Sequence, residues 1–269
     1  MKYIILFISI ISTAALHGQD MEQVTVPLSA GVENGILDVD VKSGSVKIIG
    51  TSRQDVLVKY RIIDQTDDDS KEEVDPEMKG LKKISNNSMD FKIEEIDSEV
   101  IIKSDTWFKG VDLVVEVPQS FDLDINNGMG GNVEVENVSG ELNLASYLGS
   151  VYAKNVSGVV NANTYTGEIE VTFNNITSGK DMSFISYTGK VDVTLPASYA
   201  ASLKMKTDWG DIYSDLEIIP VEQKPEFKKD DTGKGFKLYT DSWTYATING
   251  GGPEITMKTQ MGSIYLRKK

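Results

Sequence analysis

The chain has 269 residues, of which 41 are acidic and 27 are basic, so its formal net charge is −14, and it contains no cysteine. The lack of cysteine excludes thiol catalysis, disulfide bonds and cysteine-ligated metals. The negative charge repels phosphate backbones and anionic membrane surfaces, so we expect no binding to nucleic acid.

Residues 1–18 have the pattern of a secretory signal peptide. Lys2 gives a positive start, residues 4–16 are mostly apolar, and small residues up to Gly18 offer a cleavage site. The apolar run is too short to cross about 30 Å of hydrocarbon. We predict export to the periplasm, the cell surface or the medium, with no membrane insertion after signal removal. The only histidine, His17, leaves with this segment, which excludes histidine-based catalysis and metal binding in the remaining chain.

Residues 19–120 are predicted to form an amino-terminal β region. Alternating apolar and polar residues in 35–64 indicate three strands with tight turns, and further strands follow until Pro118. Between them, residues 65–80 carry a dense run of charges with almost nothing to bury. We interpret this run as a solvated acidic loop, and a calcium-binding loop is the alternative.

From residue 121 the chain repeats itself, and the repeat predicts the fold class. Regularly spaced glycines each precede a short alternating run, and two runs make one period of about 18–22 residues. A unit of this size cannot bury its own apolar face and has to stack on its neighbours. We therefore predict an all-β protein in which residues 121–269 form a parallel β-solenoid-like repeat domain with two strands per turn and about six rungs. The copies are 121–135, 137–154, 155–173, 175–195, 202–216 and 254–268, with an inserted hairpin or cover at 217–247.

Alternation within each run predicts which side chains point inward. The parity changes across most of the glycines, as it must at a corner, where glycine supplies a positive φ or a close backbone approach. The predicted core residues are Leu142, Leu144, Val160, Ala162, Met182, Phe184, Leu203 and Met205 on one sheet, and Val133, Val135, Val151, Ala153, Ile169, Val171, Val191 and Val193 on the other.

Three parts of the chain, in this order, resemble the bacterial exported putative-adhesin family. They are the run 111–125 with its Val117-Pro118, the glycine-led repeats, and the run 246–266 with Gly250-Gly251-Gly252-Pro253. The resemblance implies an exported, repetitive parallel-β domain for which adhesion is a label. Related toast-rack repeats are similar to those of envelope-stress proteins. The chain departs from the family at the corners, where tyrosine precedes the glycine in place of the expected Asn-Gly.

Those tyrosines, Tyr147, Tyr165 and Tyr187, are the candidate binding residues. Each lies two residues before a corner glycine, so stacked rungs would align the rings in a ladder. Such a ladder is either structural, since aromatic pairs stabilise a fold, or a platform for sugars. Counting forward from Ala162 points Tyr165 outward, whereas counting back from Ile169 points it inward, so its exposure stays open.

Two other rows are predicted to be structural. Asn137, Asn155 and Asn175 would form an amide ladder at the other corner. An acidic stripe on the second sheet is interpreted as a solvated face, with cation binding or glycoside hydrolysis as alternatives. Its members are Glu134, Glu136, Glu168, Glu170, Asp192 and Asp211.

These observations predict an exported, non-enzymatic protein of the adhesin-like or cell-envelope interaction type. Its partner would be a glycan or an envelope protein, and we expect no catalytic residue, metal or cofactor. The alternatives are a carbohydrate-active solenoid enzyme using Asp/Glu pairs and a structural or envelope-stress component. The sequence leaves the ligand and the oligomeric state open.

Overall fold

A computed structural model describes residues 21–33, 35–64, 90–107, 109–176, 179–222, 226–229, 236–239 and 242–269. The predicted signal at 1–18 and the acidic loop at 65–80 lie outside the described residues, and the insertion at 217–247 is described in part. All regular structure in these ranges is β-strand. The described part of the chain has no helix that is long and apolar enough to cross a membrane.

The strands follow the alternating runs of the sequence. Their bounds are β1 Glu22–Pro27, β2 Ile36–Ser43, β3 Val46–Thr51, β4 Asp55–Asp64, β5 Phe91–Ile96, β6 Glu99–Ser104, β7 Lys109–Pro118, β8 Asp122–Met129, β9 Val133–Glu136, β10 Leu142–Leu148, β11 Val151–Val156, β12 Val160–Thr166, β13 Ile169–Phe173, β14 Met182–Thr188, β15 Val191–Leu195, β16 Ala201–Trp209, β17 Ile212–Ser214, β18 Ile219–Pro220, β19 Glu226–Lys229, β20 Phe236–Tyr239, β21 Thr244–Ile248, β22 Glu254–Met261 and β23 Ile264–Lys268.

Two large sheets, built mainly from parallel pairs, face each other across the core. Sheet A has the order β1-β4-β7-β3-β9-β11-β13-β15-β23-β17, and sheet B has the order β18-β21-β16-β22-β14-β12-β10-β8-β2-β6-β5. Each turn of chain, here called a rung, places one strand in sheet B and the next strand in sheet A. The predicted all-β, solenoid-like fold is confirmed.

The described strands form eight such rungs. In spatial order, rung 1 is β6 and β7, rung 2 is β2 and β3, rung 3 is β8 and β9, rung 4 is β10 and β11, rung 5 is β12 and β13, rung 6 is β14 and β15, rung 7 is β22 and β23, and rung 8 is β16 and β17. Residues 121–269 supply rungs 3–8, and both sheets continue into the amino-terminal region through rungs 1 and 2.

The spatial order differs from the chain order at both ends. Rung 2 precedes rung 1 along the chain, and the last copy of the repeat, rung 7, lies between rungs 6 and 8. Antiparallel strands cover the ends: β4 and β1 extend sheet A beyond rung 1, and β5 extends sheet B there. At rung 8, β21 and β18 extend sheet B, and β19 pairs with β20 in a separate hairpin.

The core lies between the two sheets and runs the length of the stack. All sixteen side chains that alternation assigns to the core are buried, with exposed fractions of 2% or less. Phe173 and Phe184 meet edge to face inside it, with ring centroids 6.5 Å apart. The strand parity predicted from the sequence is therefore confirmed.

One corner, where each sheet B strand ends, explains how the tyrosines are positioned. A small hydroxyl residue just before the turn points inward and donates a hydrogen bond to a glycine carbonyl of the preceding rung. Thr164 donates to Gly149 at 2.7 Å, and Ser186 donates to Gly167 at 2.9 Å. Rungs 7 and 8 repeat this bond through Thr259 and Thr207, at 2.8 and 2.7 Å.

The corner glycines are required by the close approach of successive rungs. A Cβ atom on Gly149 would lie 1.9 Å from the carbonyl oxygen of Gly131, and one on Gly189 would lie 2.0 Å from that of Gly167. Gly189 also has a φ of 145°, in the region that glycine alone adopts readily. Both reasons that the sequence analysis offered for a corner glycine apply here.

Candidate binding face

The three tyrosines form an exposed, stacked ladder. Tyr147, Tyr165 and Tyr187 are 55%, 46% and 41% exposed. The rings of Tyr147 and Tyr165 lie 5.2 Å apart at 12°, and those of Tyr165 and Tyr187 lie 4.8 Å apart at 9°. Each tyrosine follows an inward-pointing hydroxyl residue, so strand alternation places the tyrosine on the outer side. The alternation does not continue through the corner, so counting back from Ile169 gave the wrong side for Tyr165.

Six further outward side chains of the same strands lie beside the ladder. They alternate with the core residues and stand in register across the three rungs. Asn161 donates a hydrogen bond to Asn143 at 3.1 Å, joining rungs 4 and 5. We call the three tyrosines and these six residues the tyrosine face; the six are Asn143, Ala145, Asn161, Asn163, Ser183 and Ile185.

The tyrosine face carries no charge, although 25% of the chain's residues are charged. The strands β10, β12 and β14 contain no Asp, Glu, Lys or Arg at any position. The sheet A strands of the same rungs each contain at least one, namely Lys154, Glu170 and Asp192. Within these rungs, the lack of charge is therefore specific to the sheet B side.

Charged residues bound the tyrosine face at both ends of sheet B. Toward rung 1, Lys42 pairs with Asp40 at 2.7 Å and Lys103 pairs with Asp38 at 3.1 Å. Toward rung 8, lysine takes three of the four equivalent positions, at Lys204, Lys206 and Lys258, and Lys206 lies 3.6 Å from Asp208. The outer surface of sheet B thus changes from acidic and paired, through neutral amides, to basic.

A groove continues the ladder toward rung 1. Its volume is about 360 Å³, and its lining includes Trp107, Asn126, Gly128 and Tyr147. Gly128 occupies, in rung 3, the position that tyrosine holds in rungs 4–6, so no ring fills this space. Trp107 is 51% exposed and comes from the connection between β6 and β7. Trp107 could not be predicted from the repeats, because rung 1 lies outside them.

Large exposed apolar side chains extend the row in both directions. Met129 and Leu148 are neighbours in register at the ends of their strands, and so are Met261 and Trp209. Their exposed fractions are 38%, 40%, 54% and 77% in that order. Together with Trp107 and the ladder they form what we call the apolar ridge, which follows one corner of the stack from rung 1 to rung 8 and is interrupted at rung 2 by Lys42 and Ser43.

The acidic stripe lies on the outer side of sheet A, and basic residues hold most of it. Lys47 lies 2.8 Å from Glu136 and 3.6 Å from Glu134. The hydrogen bond that Lys47 donates to Glu136 raises the pKa of Lys47. Lys190 lies 3.4 Å from Glu168 and 3.8 Å from Glu170. Among the described residues, no three acidic or histidine side chains are grouped so that they could hold a metal ion.

Asp192, also in the stripe, forms the most buried of these pairs. Its side chain is 8% exposed, and Arg267 donates to both carboxylate oxygens at 2.7 and 2.9 Å. Arg267 also lies over the ring of Tyr265, 5.2 Å from its centroid. Tyr265 stacks on Tyr213 at 5.3 Å and 15°, so sheet A has a tyrosine pair of its own. Stacking between rungs is therefore a structural element in itself and does not by itself mark a binding site.

The predicted asparagine row serves a different purpose from the expected one. Asn137 and Asn155 have φ values of 60° and 55°, in the left-handed region that asparagine tolerates better than most residues. In the described part of the chain, the two asparagines of adjacent rungs that share a side-chain hydrogen bond are Asn143 and Asn161, on sheet B, and not members of the predicted row.

No protein-family model matches the chain, and no curated protein matches it. The solved structures that resemble it include two bacterial proteins. A putative cell adhesion protein from Clostridium sporogenes is 13% identical, with a TM-score of 0.48, and the match covers 93% of this chain and 100% of that one. A putative adhesin from Bacteroides fragilis is 10% identical, with a TM-score of 0.30, covering 94% and 98%. Both proteins are named for adhesion, as the sequence resemblance led us to expect. Likeness at this level says nothing about what this chain binds.

Proposed function

We propose that this protein is an exported, non-enzymatic adhesin-like protein that attaches to a cell-envelope or host partner through the tyrosine face. One observation carries the proposal. Three exposed tyrosines stand in line on a surface without charge, in a chain that is otherwise strongly charged. A contiguous exposed apolar patch with a polar surround is typical of interaction sites.

Structural stability alone accounts poorly for this surface. A stacked aromatic pair contributes about 0.5–1.5 kcal/mol, and the Tyr213–Tyr265 pair shows that the fold obtains such a contact on a charged surface as well. Lys or Glu at the outward positions of β10, β12 and β14 would make the exported protein more soluble. An uncharged row that exposes three rings to water is consistent with contact to a partner.

The acidic stripe gives less support to the alternative of a carbohydrate-active enzyme. Glu134, Glu136, Glu170 and Asp192 are in sheet A strands, across the core from the sheet B strands that carry the ladder, while Glu168 and Asp211 lie at the corner just before β13 and β17. Five of the six contact Lys or Arg. A glycosidase would need a general acid and a second carboxylate beside the bound sugar. The member nearest the ladder along the chain is Glu168, three residues after Tyr165, and it pairs with Lys190 at 3.4 Å.

The test is attachment of purified protein, without residues 1–18, to envelope fractions of the source bacterium. The variant replaces Tyr147, Tyr165 and Tyr187 by alanine. The matched control is Tyr213→Ala, which removes a ring that is 51% exposed and stacked on one neighbour, as Tyr147 is. We expect the triple variant to lose attachment and the control to keep it. Equal attachment of both would remove the tyrosine face from consideration.

A further inference from the structure

We infer that the tyrosine face binds a neutral, linear polysaccharide that lies along the axis of the solenoid. The inference rests on the proposed function and specifies its partner. Three properties of the face support it: its charge, the kind of hydrogen-bonding groups it offers, and its repetition along one direction.

Charge disfavours an acidic polymer on the tyrosine face itself, and the lysines of sheet B lie beyond it, at rungs 7 and 8 and toward rung 1. An anionic chain would meet a protein with a net charge of −14 and would find no cation in the outward positions of rungs 4–6. At the rung 1 end of sheet B, Lys42 and Lys103 are paired with aspartates. Since complementary charge normally drives such recognition, a neutral ligand is the one that this surface suits.

The polar groups of the face match hydroxyl groups. Asn143, Asn161 and Asn163 each present an amide, which donates and accepts, and Ser183 presents a hydroxyl group, which does the same. A sugar hydroxyl is likewise both donor and acceptor. The apolar C–H face of a sugar ring packs against an aromatic ring, and the ladder supplies rings at successive rungs. Each of rungs 4–6 thus offers one exposed ring beside uncharged side chains.

The repetition of the site indicates a polymer. The same chemistry recurs over rungs 4–6 at steps of about 4.8 Å, and successive tyrosine rings are inclined by only 12° and 9°. The apolar ridge extends the row to Trp209 at one end and to the groove at Trp107 at the other. From rung 1 to rung 8 the row is about 34 Å long, seven rung spacings. A row of this length, with three evenly spaced rings at rungs 4–6, suits a chain with a repeating unit better than a single small sugar.

The experiment is native affinity electrophoresis in gels containing soluble polysaccharides. The neutral probes are hydroxyethyl cellulose, mixed-linkage β-glucan and galactomannan, and the acidic probe is alginate. We expect at least one neutral probe to retard the wild-type protein, equally at about 50 and 500 mM salt, since screening does not weaken an uncharged contact. Alginate should give no retardation.

The variants identify the surface. Each alanine replacement in the ladder should weaken binding roughly two- to tenfold, and the triple variant should show no retardation. Tyr165→Phe keeps the ring and should bind like the wild type, and Tyr213→Ala should also bind normally. Trp107→Ala and Trp209→Ala test the two ends of the apolar ridge, and each should shorten the oligosaccharide length at which affinity levels off. Melting temperatures identify any variant that fails to fold.

The outcomes separate this inference from the proposed function. If the triple variant loses envelope attachment but no neutral probe retards the wild type, the function stands and the inference falls. Salt-sensitive retardation by alginate would overturn the inference too. So would a wild-type dimer that the triple variant converts to a monomer, because the face would then be covered by a second copy. If envelope attachment is also unchanged in the triple variant, both proposals fail.

Discussion

Replacing Ile169 tests the inward faces of the stack most directly. Its side chain is fully buried in rung 5, between Val151 of rung 4 and Val191 of rung 6. Ile169→Asp places a carboxyl group in this apolar position with no partner. The neighbouring Glu170 points outward, with a side chain that is 37% exposed.

The cost of Ile169→Asp has two parts. Losing the buried isoleucine side chain removes about 2 kcal/mol of burial free energy. Protonating an aspartate whose ordinary pKa is about 3.9 costs about 4 kcal/mol at pH 7, at 1.36 kcal/mol for each pH unit. The sum is about 6 kcal/mol, which lowers the melting temperature by roughly 12–24 °C for a domain of this size.

Two matched variants isolate these parts. Ile169→Asn is isosteric with the aspartate but does not titrate, so the two should differ by about 4 kcal/mol at pH 7 and converge near pH 4. The sign follows because burial raises the pKa of the new carboxyl group, so the penalty grows as the pH rises above its unfolded value. Glu170→Lys, on the outer side, should shift stability by about 1 kcal/mol or less.

The measurement is urea unfolding of the three variants at several pH values. Equal stability of the aspartate and asparagine variants at neutral pH would show that residue 169 is not in a dry core. Equal melting temperatures for Ile169→Asp and Glu170→Lys would contradict the strand parity itself.

Two further predictions concern ionic groups. Arg267→Met leaves the buried carboxylate of Asp192 without its donor and should lower the free energy of unfolding in urea by about 1–3 kcal/mol. The double variant that also carries Asp192→Val should recover most of this stability. If it recovers none, the two side chains do not interact directly. Glu95 accepts hydrogen bonds from the backbone and hydroxyl of Ser29 and from the backbone of Ser98, at 2.8–2.9 Å, and these lower its pKa from 4.5. Its contribution is present above pH 4.5 and is lost as the pH falls through the lowered pKa. Glu95→Gln should therefore lose stability near neutrality and give a flatter melting profile below pH 4.5. A profile parallel to the wild type would refute this role.

The periodic part of the fold could be predicted from the sequence because each rung repeats one local pattern. Leu142, Val160 and Met182 begin equivalent strands, and alternation alone placed them inside. The glycines at the corners could be predicted for the same reason, since only a residue without Cβ lets successive rungs approach so closely.

The order of the rungs could not be predicted, because the repeats present nearly interchangeable apolar edges. Ile255 and Ile264 look like the start of one more rung, and nothing local specifies that they dock on rung 6. The exposure of Tyr165 was open for a different reason: the corner breaks the alternation, and only the inward hydrogen bond of Thr164 fixes the side on which the ring emerges. Trp107 was missed because its rung departs from the repeat.

Rung 7 has a consequence for the order in which the chain can fold. A polypeptide that emerges amino-terminus first can add rungs 3–6 one after another, each onto an edge that already exists. Residues 201–214 are made next, but the strands on which they finally dock, β22 and β23, are made later. Until then, β14 and β15 present open edges, which are the usual route to pairing with another molecule. We expect the transit time between residues 195 and 268 to set the period during which this protein depends on chaperones.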